Sequence, residues 1–297
     1  MYKIPILFII FADPNTTARV FERIREIKPT RLYVACDGAR EDRENESEKV
    51  TKTRAIIEKI DWNCEVYTRF LDKNFGPKYA VSSAITWFFE NEEMGVILEH
   101  DCLPDISFFP FCEELLVRYK NDDRVGHIGG DCFLPDFVNK KYSYNFSTHA
   151  HIWGWAGWRR SWKNYDVNFH FWNDYKDERD YLFQNFLEKV YFSTFIPDVL
   201  NNRKHTWDTQ YHFSLKLQNR LSICPTVNLV TNIGLGSPDA ANTTIYRKKL
   251  LVPPQPIAFP LQHPPFMMIN RKLDKQTIKT FFFSWKRLIR YYLKINI

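Results

Sequence analysis

The sequence predicts an α/β fold with a largely parallel sheet, and three observations carry that expectation. Short apolar runs alternate with helical patterns through the first half of the chain. Several runs end in polar or acidic residues, as strands do where they reach the rim of an open sheet. The composition, 44% apolar and 26% charged over 297 residues, is that of a chain able to bury one large core or two modest ones.

The elements follow in order. Residues 5–12 read as the first strand; the run follows Lys3 and imitates a secretory signal, but no small-x-small cleavage pattern precedes Asp13-Pro14-Asn15. Thr16 or Thr17 can cap a helix that turns Val20, Phe21, Ile24 and Ile27 inward. Residues 31–35 are a second strand ending in Cys36-Asp37-Gly38, and residues 51–60 a second helix after a charged loop. Residues 64–68 are a third strand and 78–89 a third helix with Val81, Ile85 and Phe88 inward. The fourth strand, 95–98, ends in Glu99-His100-Asp101. Beyond it, 108–119 read as helix, 124–129 as a short strand and 142–162 as an aromatic-rich cleft wall. Residues 169–205 read as helical, 206–217 as a helix, and 221–233 as extended. A loop rich in Gly, Pro and Asn covers 234–244, and six prolines in 253–265 make an extended strap.

Several classes are excluded. Collagen-like and disordered chains have other compositions. No apolar run approaches the roughly 20 residues that a helix needs to cross a bilayer. The six cysteines show neither the tight even spacing of a disulfide scaffold nor paired C-x-x-C ligands, which points to buried thiols and a reducing, cytoplasmic setting. Net charge is +6, but residues 271–297 hold eight Lys and Arg against one Asp, so the body of the chain is close to neutral. A reader of nucleic acid spreads its cations over a folded face, so no nucleic-acid partner is expected for the main domain. P-loop, G-x-G-x-x-G and G-x-S-x-G patterns are absent.

In open α/β sheets ligands gather beyond the carboxyl ends of the strands, which singles out Asp37 and the Glu99-His100-Asp101 run. Hard oxygen ligands there suit Mg²⁺ or Mn²⁺ bridging a diphosphate; an ordinary acidic loop start has the same spacing.

Seven blocks together carry a resemblance. They are Pro5 to Phe11, Asp37-Gly38, Asn74-Phe75-Gly76-Pro77-Lys78, Trp87-Phe88-Phe89, Ile97 to Cys102, Trp153-Gly154-Trp155-Ala156-Gly157-Trp158 and Thr206-Trp207-Asp208. The set is similar to bacterial nucleotide-sugar glycosyltransferases of the hemolytic-protein-like family, and its order and spacing resemble the catalytic domain of the Golgi N-acetylglucosaminyltransferase I. It covers roughly residues 4 to 265.

The resemblance implies a GT-A (Rossmann-like) mixed sheet flanked by helices in a single catalytic domain. Residues 1–130 would be the nucleotide-sugar-binding half, 131–265 the acceptor-binding half and 266–297 a basic amphipathic tail. It further implies a UDP-sugar donor, a divalent metal (Mn²⁺ or Mg²⁺), inversion at the anomeric carbon, and a glycan, glycolipid or glycoprotein acceptor. Asp37 matches the acid that reads uracil. Glu99, His100 and Asp101 match a Glu-Asp-Asp triplet in which Asp101 is the metal ligand; His100 replaces the middle acid, which contacts the ribose or sugar. Lys78 would lie over the diphosphate or the donor sugar, against the ordinary reading of a surface lysine. Trp155, alone of its three tryptophans, would face the donor rather than pack in the core. Asn242 stands where relatives often carry His.

Chemistry independent of the resemblance agrees. An inverting transfer passes through an oxocarbenium-like state and needs one carboxylate to deprotonate the acceptor. The diphosphate leaving group needs charge neutralisation rather than a proton. Asp208 is the candidate base; read without the family it is a helix N-terminal Asp favoured by the macrodipole. His263 could reach a metal but reads more simply as a strap residue. Two other classes remain open: a non-catalytic carbohydrate-binding protein on the same fold, and a sugar nucleotidyltransferase. The second ordinarily carries a Gly-rich basic loop after strand one, unlike Phe11-Ala12-Asp13-Pro14.

Two further expectations concern mobile parts. The 234–244 loop is expected to close over bound donor. In the tail, Ile278, Phe281, Phe282, Trp285, Ile289, Tyr292 and Ile295 recur at helical spacing with cations mainly opposite. Such a helix either docks its apolar face on the domain or lies peripherally on an anionic membrane.

Overall fold

The computed structural model describes residues 1–175, 177–236 and 250–293. The first half runs β1 (Ile6–Ile10), α1 (Pro14–Ile27), β2 (Arg31–Cys36), α2 (Glu46–Arg54), β3 (Glu65–Phe70), α3 (Gly76–Asn91) and β4 (Met94–Glu99). Next come β5 (Cys102–Pro104), α4 (Phe108–Arg118), β6 (Val125–Gly129), β7 (Tyr144–Ser147) and β8 (Trp155–Trp158). The second half continues with α5 (Arg159–Trp162), α6 (His170–Asp174), α7 (Phe186–Leu200), α8 (Asp208–Leu217), β9 (Leu221–Pro225) and β10 (Val230–Asn232). The C-terminal part holds α9 (Arg271–Thr277) and α10 (Trp285–Leu293).

Eight strands form one mixed sheet in the order β3-β2-β1-β4-β8-β6-β9-β7. β1 pairs in parallel with β2 and β4, and β2 with β3. β8 runs antiparallel between β4 and β6; β9 is parallel to β6 and antiparallel to β7. A separate antiparallel pair joins β10 to β5. The α/β class and its helix-flanked mixed sheet are therefore what the chain forms.

Alternation along the central strands makes three layers. Ile6, Phe8 and Ile10 of β1 join Leu32, Val34, Val96 and Leu98 on one face, under α1, α2 and α4. Leu7, Ile9, Tyr33, Ala35 and Ile97 point to the other face, under α3 and α8. A strand apolar on both sides is the mark of a parallel sheet covered twice. Each large side chain so buried contributes about 1.5–3 kcal/mol.

Three local features differ from the sequence reading. Asp13, not Thr16 or Thr17, caps α1: its carboxylate accepts from the amides of Asn15 and Thr16, both at 3.1 Å, and Pro14 presets the first helical φ. Strands β5, β7, β8 and β10 are three or four residues long and pair with distant segments, so no local period announced them.

The tail is the third difference, because it is not one amphipathic helix. α9 is held by Asp274, buried and accepting from Ser147 Oγ (2.6 Å), the Thr148 amide (3.1 Å) and hydroxyl (2.9 Å), and Gln184 Nε2 (2.9 Å). One π-turn, Ile278–Phe282, brings Phe281 and Phe282 onto the domain. After it, α10 docks by its cations. Arg290 forks onto Asp198 at 2.7 and 2.8 Å, and Arg287 lies over the Tyr191 and Phe195 rings, 5.2 and 5.1 Å from their centres. Trp285, Ile289, Tyr292 and Leu293 are left exposed.

Candidate functional site

The carboxyl ends of β1, β2 and β4 open into one cavity of about 380 Å³. Asp37, Glu99, His100, Asp101 and Asp208 all line it. Asp37 follows β2, the 99–101 run ends β4, and Asp208 opens α8, so three elements far apart in sequence deliver the acids to one place.

Asp37 is buried and already engaged. Its Oδ1 accepts from the Gly38 amide at 2.9 Å and the Phe75 amide at 3.0 Å; its Oδ2 accepts from Gly76 at 2.9 Å. The carboxylate thus pins the turn that starts α3, and Asn74 Nδ2 donates back to the Gly38 carbonyl at 2.7 Å. Burial pushes the Asp37 carboxyl above the usual range, and the three amides oppose that.

Asp101 stands where β4 crosses into β5. Its Oδ2 accepts from Asn232 Nδ2 at 3.0 Å, its carbonyl from the Ile233 amide at 2.8 Å. Gly234 packs so tightly here that a Cβ would fall 2.9 Å from Asp101 Oδ2, which explains a glycine at the head of the 234–244 loop. Residues 237–249, with Asn242 and most of that loop, lie outside the described residues.

Glu99 feels its neighbours most. Burial first, then the charges of Asp101 and Asp208, push its carboxyl up to about 8. Burial also raises Asp208, against backbone amides of Thr209 and its own residue; the Thr206 hydroxyl donates to Asp208 Oδ1.

Charge balance in this cavity bears on a metal. Asp13, Asp37, Asp101 and Asp208 outnumber the lining cations Arg40 and Arg69. A diphosphate placed among these acids would call for a cation, and Asp101 would offer it a hard oxygen of the kind that Mg²⁺ or Mn²⁺ takes. The donor set therefore fits such an ion. A different group, His149, Glu188 and His212, has ligand atoms all within 4.8 Å of one another, but Lys216 Nζ already lies 2.6 Å from Glu188 Oε1. An ammonium there holds the place of a dication.

Two expected donor contacts lie elsewhere. Trp155 does not line the cavity: it is fully buried on the α3/α8 face, 4.9 Å from the Tyr211 ring and 6.2 Å from Trp207. Gly154, at φ +65°, turns the chain between the two tryptophans, so that Trp153 lines the cavity and Trp155 enters the core. Lys78 is buried in the first turn of α3 with Nζ 5.0 Å from the Tyr79 ring centre, and is not among the lining residues. His263 belongs to the strap, bonded to Tyr144 (3.0 Å) and paired with Glu114 (2.9 Å).

Sequence reasoning missed Arg40, Arg69, Trp153 and Asn232. Arg69 was within reach: it is the penultimate residue of β3, where the end-of-strand rule applies as it does to Asp37. Asn232 was not, because only the pairing of β10 with β5 brings it beside Asp101.

No family model and no curated protein sequence matches the chain. Among solved structures it is similar to residues 1–349 of TarS from S. aureus, with a TM-score of 0.38, 10% identity and 55% of this chain covered; the match spans 49% of the TarS chain, about half its length. It is also similar to HddC from Yersinia pseudotuberculosis, with a TM-score of 0.34, 11% identity, and 60% of this chain and 86% of that one covered. A cytidylyltransferase from Leptospira borgpetersenii gives a TM-score of 0.33 and 14% identity, covering 61% of this chain and 73% of that one.

Proposed function

We propose that this chain is an inverting glycosyltransferase that moves a sugar from a nucleotide-diphosphate donor, a UDP-sugar, to a hydroxyl of a glycan or glycoconjugate. The observation that carries the reading is the convergence of Asp101 and Asp208 in one cavity at the strand ends. Asp208 accepts the proton of the acceptor hydroxyl as its oxygen bonds to the anomeric carbon from the face opposite the breaking bond to diphosphate. The nucleoside diphosphate leaves with that bond's electrons. Asp101 would hold the divalent ion, which when bound supplies charge neutralisation for the diphosphate. Arg69 adds a fixed positive charge to the same cavity. A non-catalytic binding protein has no need of Asp101 and Asp208 together, and a sugar nucleotidyltransferase ordinarily carries a Gly-rich basic loop where this chain has Phe11-Ala12-Asp13-Pro14.

The test is hydrolysis and transfer with a panel of UDP-sugars and Mn²⁺. Asp208→Asn should lower kcat at least the ~10²-fold typical of losing a general base, with nucleotide binding retained. Retention of the donor's anomeric configuration in the product, read by NMR, would reject the assignment.

The tail supports peripheral attachment to an anionic membrane. The outward face of α10 offers Trp285, Ile289, Tyr292 and Leu293, while Lys275, Lys279 and Lys286 remain exposed near it in sequence. Each cation near an anionic bilayer adds about 1 kcal/mol. Co-sedimentation with phosphatidylglycerol vesicles at low salt, weakened by added salt and by Trp285→Ser with Ile289→Ser, is the expected outcome. Equal sedimentation with phosphatidylcholine, or none, overturns it. Truncation is the poorer test, since it also removes the Asp274 anchor.

A further inference from the structure

Asp208 lines two cavities. The second, about 230 Å³, adjoins the first, and Ile152, Trp153 and Asp208 belong to both. The donor reading assigns it nothing. Its walls are aromatic. Phe133 meets Trp153 edge-on with centres 5.0 Å apart, Phe281 edge-on at 5.6 Å, and the His151 ring in a stack at 5.3 Å.

One polar pair stands among these rings. His151 Nδ1 lies 2.6 Å from Asp131 Oδ1, which leaves Nε2 as the ring's other hydrogen-bonding atom. Asp131 is 1% exposed, and its Oδ2 is buried with no hydrogen-bond partner among the described residues. A buried carboxylate oxygen without a donor costs free energy, and Asp131 is among the residues that line the same cavity as His151. The paired His and Asp add no net cation, so the cavity is a poor phosphate site. Its volume lies below the about 300–1,000 Å³ of pockets for drug-sized ligands, which leaves room for one ring.

We infer that the second cavity is the acceptor subsite and takes a single carbohydrate ring, its C–H face on Phe133, Trp153 and Phe281 and a hydroxyl held by His151, whose ring Asp131 orients. A pyranose has the required combination of a flat apolar face and a polar rim. This rests on the glycosyl-transfer reading, because the shared position of Asp208 places a base between donor and acceptor. It also gives the C-terminal segment a role: the π-turn carries Phe281 and Phe282 into the wall, with Phe282 stacked on Tyr191 at 4.5 Å.

The test is saturation-transfer NMR on the full chain with UDP and Mn²⁺, using methyl β-glycosides of glucose, galactose and N-acetylglucosamine as probes. At least one glycoside should receive saturation at its ring C–H protons. Phe281→Ala and His151→Gln should each weaken that glycoside's binding about tenfold, the usual loss for an aromatic or hydrogen-bonding anchor. The thermal shift caused by UDP reports folding and the donor cavity separately. Should Phe281→Ala melt too early, His151→Gln carries the same reading. Unchanged glycoside binding in both variants, or no glycoside bound while UDP still binds, overturns the acceptor subsite. Failure of UDP itself to bind overturns the donor reading, and with it this one.

Discussion

Strands β1, β2 and β4 at one side of the sheet and β6, β7 and β9 at the other share one hydrogen-bonded ladder but are buried among different neighbours. Around the first group lie aliphatic and aromatic side chains, and of the buried polar residues among those described only seven precede residue 121. The other 22 follow it. There, His127 bonds to Ser222 (2.6 Å), Asp274 collects four donors, and Lys216 meets Glu188 at 2.6 Å with both side chains almost wholly buried. The first half is held together mainly by area removed from water, and the second adds buried polar pairs to an apolar core. The cavity at the strand ends draws on both, with Asp37, Glu99 and Asp101 from the first half and Trp153, Asp208 and Asn232 from the second.

Breaking one buried pair in each half would sharpen this contrast most. Glu188→Ala strands the Lys216 ammonium and should cost about 3–5 kcal/mol in urea unfolding. Glu46 is as buried, but its partner Arg40 keeps 29% of its side chain exposed, so water takes over when the acid is removed. Glu46→Ala should therefore cost about 1 kcal/mol, the upper end for solvent-exposed pairs. Equal losses would break the comparison.

A smaller effect lies in the pH dependence. Burial pushes His127 down to about 3 and holds His149 and His212 well below the usual imidazole range. All three lie in the second half. Their folded forms stay neutral while the unfolded chain takes up protons, so stability should fall as pH drops below about 6.5. His127→Phe should flatten that slope by up to one proton across the window. An unchanged slope in urea titrations from pH 7 to 4 would show that His127 is protonated in the folded state.

How much could be read beforehand follows the same division. Asp37, Glu99 and Asp101 could be placed at the strand ends because an apolar strand ending in an acid is a local pattern. Asp208 came from the resemblance, since its local pattern equally describes an ordinary helix start. Trp155 was misplaced for want of a period: four residues, Trp-Ala-Gly-Trp, cannot tell which ring faces the core until β8 is inserted between β4 and β6. Asp131 and His151 went unnoticed because they are 20 residues apart and meet only through tertiary packing.

The sequence by itself determined the layered α/β class, the parallel strands and the acids at their ends, because side-chain periodicity and strand termini are properties of a few consecutive residues. It also showed a basic tail. Only the tertiary structure decided that the tail's single acid, Asp274, is its anchor, that Arg287 and Arg290 face inward and that Trp285 and Ile289 face out. Helical spacing defines two faces but not which one finds a partner. That choice was made by Asp198, Tyr191 and Phe195 on α7, whose buried carboxylate and ring faces suit guanidinium groups better than they suit an apolar stripe.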